Sequence, residues 1–145
     1  MTGALLAVSG GSAAAAAAGI GYLSDRVGYK PILLLHLSVL AASMLLHGFA
    51  QSIFQLALLR VLYGLASGGI LPTMNALVGH LVPADSYGKA YGLTASMTSL
   101  GFAAGPFLGG IMASWWGYRW PFVIVSAMVV LLAVPAVLSI RPRAR

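Results

Sequence analysis

Glutamate and cysteine are both absent from the 145 residues, and the only acids are Asp25 and Asp85. Without cysteine there are no disulfides and no thiolate metal ligands. With two carboxylates far apart in sequence, paired-carboxylate chemistry has no foundation, and no nucleophile–base constellation appears among the remaining residues. Charge of either sign is scarce: 7% of residues are charged, where a soluble domain carries about a quarter. Ten charged side chains cannot make a water-soluble surface on a chain this long. The three histidines, His36, His47 and His80, do not have metal-ligand spacing, and neither HxxxH nor HExxH occurs.

Apolar residues are abundant, at 60% of the chain, and the mean hydropathy is +0.95. The solvent for most of this chain is therefore lipid or other protein. A net charge of +6 and a pI near 10.2 suit nucleic-acid binding in general. Here the basic residues stand singly between apolar runs, as membrane-topology signals do. The N-terminal run also lacks the basic stretch with which a secretory signal peptide opens, since no Lys or Arg precedes Arg26. The alanine run 13–18 instead suits a helix that packs closely on its neighbours.

A helix needs about 20 apolar residues to cross the hydrocarbon core. Five segments qualify, at 3–23, 31–50, 53–78, 91–115 and 121–140, joined by connections 24–30, 51–52, 79–90 and 116–120. The expected fold is all-α, a polytopic transmembrane bundle of about five spans forming one domain over 1–145. With 24–30 placed in the cytoplasm, Arg26, Lys30, Lys89, Arg141, Arg143 and Arg145 lie inside and only Arg119 lies outside. That bias sets the orientation, with a cytoplasmic C-terminus. Trp115, Trp116, Tyr118 and Trp120 cluster near Arg119, as suits the far membrane–water boundary. The first span then runs inward with nothing before it to carry its N-terminus across. It is also rich in glycine, serine and alanine, and the reading is that a preceding helix is missing.

Three glycine-bearing patterns stand out. The first is Gly21-Tyr22-Leu23-Ser24-Asp25-Arg26-Val27-Gly28-Tyr29-Lys30-Pro31. Gly21 and Gly28 permit close approach and reversal, and Pro31 suits a first helical turn. Asp25 can face a helix N-terminus, while Arg26 and Lys30 hold the turn at the cytoplasmic side. The second is Arg60 with Gly64, Gly68 and Gly69. An arginine inside a span faces the protein interior or water, or it snorkels to the nearby interface. Gly64 and Gly68 form a small-xxx-small face. The third is Gly92, Gly101, Gly105-Pro106 and Gly109-Gly110. Glycines 101, 105 and 109 share a helix face at spacing four, and Pro106 removes a backbone hydrogen bond. A smooth, kinked helix can rock on its neighbour.

Together these residues resemble the major facilitator superfamily of transporters over essentially the whole chain. The first pattern resembles the family's signature loop, with Tyr29 where arginine is more usual. The second resembles its Arg–Gly signature, and the third the antiporter signature of its drug-efflux members. The resemblance implies a gating role for Gly21, Asp25, Arg26, Gly28 and Lys30. It implies coupling or substrate orientation for Arg60 and Gly64, and an export-biased motif at Gly92, Gly101, Gly105, Pro106, Gly109 and Gly110. A plain topogenic turn and a plain packing face remain the alternatives for the first and third patterns. Asn75, and a proton relay through His36 and His47, are lesser candidates.

By the same resemblance, the chain corresponds to helices two to six of one six-helix half, with the C-terminal half favoured. The implied function is proton-coupled export of drugs or other small molecules from a bacterial inner membrane. No cofactor or metal is implied. The expected partners are the lipid bilayer, a complementary half or a second copy, a small-molecule substrate and the proton gradient. The other reading is a non-transporting membrane interaction protein or an inert transporter fragment.

Overall fold

The computed structural model describes residues 2–139, except the side-chain surroundings of residues 2, 4, 5, 21, 22, 25 and 136–139. Among the described residues stand five long α-helices: α1 (Thr2–Val27), α2 (Tyr29–His47), α3 (Ile53–Leu81), α4 (Tyr87–Trp116) and α5 (Arg119–Ser139). A single 3-10 turn, Ala84–Ser86, precedes α4. No strand occurs among the described residues. Two helices, α2 and α3, are long and apolar enough to cross a membrane by length and composition alone, with mean hydropathy 1.6 and 1.5. Shorter apolar stretches at Leu6–Ile20 and Arg119–Pro135 lie in α1 and α5. Glycine, serine and threonine dilute the hydropathy of α1 and α4 without shortening them.

The predicted connection 24–30 is not a loop. Helix α1 runs on to Val27 and α2 begins at Tyr29, leaving Gly28 alone outside helical structure at φ +100°. That conformation costs an L-residue strain that glycine escapes. Its amide donates to the Ser24 carbonyl at 2.9 Å, closing the end of α1. Connection 79–90 contracts for a related reason. Helix α3 continues to Leu81, and Pro83 follows the extended Val82. At the start of α3 the Ser52 hydroxyl accepts the Gln55 amide at 3.1 Å, an N-cap the sequence permits.

Helices α1 and α3 run parallel and pack along much of their length, with α2 antiparallel beside α3 and α5 on the far side of α2. All chain reversals lie at two ends. The turn end carries Gly28, the 3-10 turn and the end of α3. The tryptophan end carries the α2–α3 and α4–α5 connections. Helix α4 touches the rest only lightly, through α5 and the last turns of α3. The largest group of buried side chains lies on α2, where Ile32, Leu33, His36, Ala41, Ser43 and His47 are all shielded.

Candidate functional site

Two buried histidines on α2 mark two levels of the bundle. His36 hydrogen-bonds through Nδ1 to the Ile32 carbonyl at 2.7 Å, one turn back in its own helix. Its ring lies against Gly69 of α3, and Ile20 of α1 fills the same contact. His47 repeats the device a few turns on, with Nδ1 2.7 Å from the Ser43 carbonyl. Its ring stacks on Phe122 of α5 (centroids 5.8 Å, 20°) and meets Tyr63 of α3 edge-on (6.4 Å, 76°). Eleven residues of helix separate the two rings by about 16 Å. Each ring faces its own set of neighbours, so the structure brings no direct His36–His47 pair together.

Arg60 lies on the turn of α3 whose Leu59 and Tyr63 meet α2. It is half-buried, and its Nε is shut away without a hydrogen-bond partner. The Nε2 of His47 is likewise buried and unpartnered. A donor and an acceptor without partners thus lie in the same region of the tryptophan end. Sequence reasoning singled out the arginine but not the Tyr63–His47–Phe122 surround, because an aromatic in an apolar span reads as ordinary packing.

The face below Arg60 is built by glycine. A Cβ at Gly64 would overlap the Ser12 hydroxyl and the Ser9 carbonyl of α1, and one at Gly68 would overlap the backbone of Ala13. Ser12 turns its hydroxyl back to the Val8 and Ser9 carbonyls at 2.9 and 3.0 Å, keeping the approach smooth. Hence the stretch of α1 from Ser9 to Ala13 lies directly on the small face of α3, at backbone distance.

Polar links fasten α2 to both neighbours. Ser43 donates to the Leu59 carbonyl at 3.3 Å, and the buried Ser126 donates to the Ala41 carbonyl at 2.8 Å across 85 residues of sequence. At the tryptophan end Arg119 lies over the rings of Phe49 and Tyr118, at 5.9 and 5.7 Å. Trp115, Trp116, Tyr118 and Trp120 are exposed there, as membrane-interface anchors are.

The signature turn is partly within view. Gly28 makes the reversal. Arg26 is exposed and Lys30 half-buried, and both take part in polar or ring contacts, as does Tyr29. The surroundings of Gly21 and Asp25 lie outside the described residues, as do Arg141, Arg143 and Arg145. Asn75 is exposed, and its carbonyl rather than its side chain makes the notable contact, with Tyr91 at 3.0 Å.

The third glycine group is arranged oppositely to the second. At Gly92, Gly101, Gly105, Gly109 and Gly110 a Cβ would meet nothing within 4 Å. Pro106 sits inside an unbroken helix. The apolar side chains interleaved with these glycines are also open, with Phe102 74% and Phe107 69% exposed.

A helical bundle with spans of membrane length, glycine-built helix contacts, an arginine inside a span and an unoccupied Gly–Pro helix face has the makings of a polytopic transport protein. The model of the Major Facilitator Superfamily matches residues 1–145, and the chain belongs to that family. It is 42% identical over 109 residues to the multidrug resistance protein MdtG of Proteus mirabilis, covering 75% of this chain and 27% of that protein. With MdtG of Citrobacter koseri it shares 41% over 112 residues, 77% of this chain and 27% of that one. With MdtG of Dickeya zeae it shares 31% over 141 residues, 97% of this chain and 35% of that one. The chain thus spans about a third or less of the length of the curated relatives it matches. It is an integral membrane protein by family.

Proposed function

We propose that this chain forms part of a proton-coupled exporter of drugs or other small molecules, placed in a bacterial inner membrane with its C-terminus in the cytoplasm. It moves solute without making or breaking covalent bonds and so is not an enzyme. The observation that carries the reading is the face of α4: glycines 101, 105 and 109 beside Pro106, with open space where every side chain would stand. A face so smooth offers another helix a backbone-close sliding surface, as alternating access needs. The names of the similar proteins support drugs as the cargo class. The partner that covers α4 is a complementary transporter half or a second copy, with lipid around the remainder.

Arg60 then serves coupling. Held half-buried with an unpartnered Nε, it can answer a charge or dipole presented by the other half or by cargo. The turn containing Asp25, Arg26, Gly28 and Lys30 serves gating by docking on the opposing half in one conformation.

The test is movement of a cationic dye in energised vesicles that hold this chain with a complementary half, and in vesicles that hold it alone. Gradient-dependent movement only with the complementary half is the expected result. Gly105→Leu should abolish it while leaving insertion intact. Correct insertion with no gradient-dependent movement in either preparation, across chemically different dyes, would favour the non-transporting interaction role.

A further inference from the structure

The last turns of α3 are gripped from two sides by tyrosines. From α4, the Tyr87 hydroxyl donates to the Gly79 carbonyl and the Tyr91 hydroxyl donates to the Asn75 carbonyl, each at 3.0 Å. The register explains the pairing. Two tyrosines four residues apart on α4 meet two carbonyls four residues apart on the antiparallel α3. The Gly79 carbonyl belongs to the final turn, where no intrahelical amide remains to bond it. Tyr87 therefore satisfies an acceptor that the helix itself leaves open. Gly79 makes room for the second tyrosine, since a Cβ there would come within 3.2 Å of the Tyr91 oxygen. From the other side, the Tyr29 hydroxyl lies 3.1 Å from Nε2 of His80, and the two rings stand 4.9 Å apart. Tyr29 immediately follows Gly28 of the α1–α2 turn.

Both grips fall on residues 75–80, just beyond Pro72, which lies inside α3. Proline has no N–H for the preceding turn, so the backbone ladder is interrupted where this segment begins. The body of α3 before Pro72 is pinned to α1 through Gly64 and Gly68. The part after it holds the α1–α2 turn and the start of α4. Helix α4 has few other contacts with the bundle.

We propose that residues 73–81 of α3 form a hinged connector through which the α1–α2 turn and α4 change position together. Tyr29–His80 is its grip on the turn, and Tyr87–Gly79 with Tyr91–Asn75 its grip on α4. Tyr29, His80, Tyr87 and Tyr91 are positioning residues. The coupling belongs to the bundle and requires no particular cargo, so it can fail or stand independently of drug export.

The chain has no cysteine, so introduced cysteines are unique labels. Spin labels at Leu65→Cys, before the proline, and Lys89→Cys, on α4, report the α3–α4 separation in lipid nanodiscs. Tyr29→Phe touches neither labelled site and keeps the aromatic ring. It should raise the population of the wider separation about fivefold, the change that loss of one hydrogen bond produces. Tyr87→Phe with Tyr91→Phe should widen it further, and adding Tyr29→Phe to that pair should then do less than it does alone. Pro72→Ala should suppress the Tyr29→Phe effect. The proposal is overturned if Tyr29→Phe speeds labelling of a cysteine at Val27 but leaves the Leu65–Lys89 separation unchanged. It is equally overturned if the effects of the two grips simply add, or if Tyr29→Phe acts undiminished in the Pro72→Ala background. His80→Phe, which keeps a ring contact but removes the hydrogen-bonding nitrogen, should reproduce Tyr29→Phe. Failure to do so would overturn the Tyr29–His80 grip and the proposal with it.

Discussion

Helices α3 and α4 both carry glycines at spacing four and a proline inside the helix, yet one is packed and the other bare. On α3, Gly64, Gly68 and Gly69 are in such close contact that a methyl group would strike Ser12, the Ala13 backbone and the His36 ring. On α4, the glycines at 92, 101, 105, 109 and 110 face nothing. The same residue at the same spacing therefore serves two ends. In α3 it fixes a contact that is already made, and in α4 it leaves a smooth surface that no other described residue covers. In lipid, where tails are as apolar as leucine, burial alone does not draw helices together. Close backbone approach and interhelical hydrogen bonds do so. That explains why α1 and α3, which have the close approach, form the body of the bundle.

The contrast breaks most sharply at Gly68. Its neighbour is the backbone of Ala13, which cannot swing aside as a side chain does. Gly68→Val should therefore separate α1 from α3 and destabilise the bundle by about 3 kcal/mol, at the upper end of overpacking costs. Denaturant unfolding in detergent measures this, and a wild-type midpoint would contradict the packed reading of α3. Gly69 is the gentler site, because His36 and Ile20 present side-chain atoms.

Five helices, their approximate spans and the division into three glycine groups were legible in the sequence, because long apolar runs and fixed spacings are local signals. Which glycine group is covered was not, since both have the same pattern and coverage depends on residues far away in the chain. The turn 24–30 was too long by six residues, because helix ends follow φ at one residue, Gly28, rather than the polar character of the whole stretch. Polar cross-links were also hidden. Ser126 reaches Ala41, and Tyr29 reaches His80, across distances at which a hydroxyl or a ring carries no periodic mark. Arg60 was visible as a charge in an apolar run, whereas the ring enclosure of His47 depended on three helices meeting.

A second variant tests whether α2 is tied to α5 as firmly as α1 is to α3. Ser126 is buried and its hydroxyl donates to Ala41 at 2.8 Å, so Ser126→Ala leaves that carbonyl without its extra donor. The Ala41 carbonyl keeps its place in the helix ladder, which limits the loss to about 1 kcal/mol. The same unfolding assay checks this. A cost as large as that of Gly68→Val would mean that hydrogen bonding, rather than glycine contact, dominates this bundle.

The smallest effect on stability should carry the opposite sign. Gly109 has open space around it and no proline after it, so Gly109→Ala strikes nothing and replaces the most flexible helical residue with the best helix former. In this chain alone it should stabilise by about 0.5 kcal/mol, less than Ser126→Ala costs and in the opposite direction. Assembled with a complementary half, the same methyl group would stand in the contact, and dye export should fall although the chain folds better. A stabilised bundle with weakened export separates a surface kept bare for a partner from one that is merely loose. If Gly109→Ala destabilises the isolated chain as Gly68→Val does, the α4 face is already in contact within this chain, and the distinction between the two helices collapses.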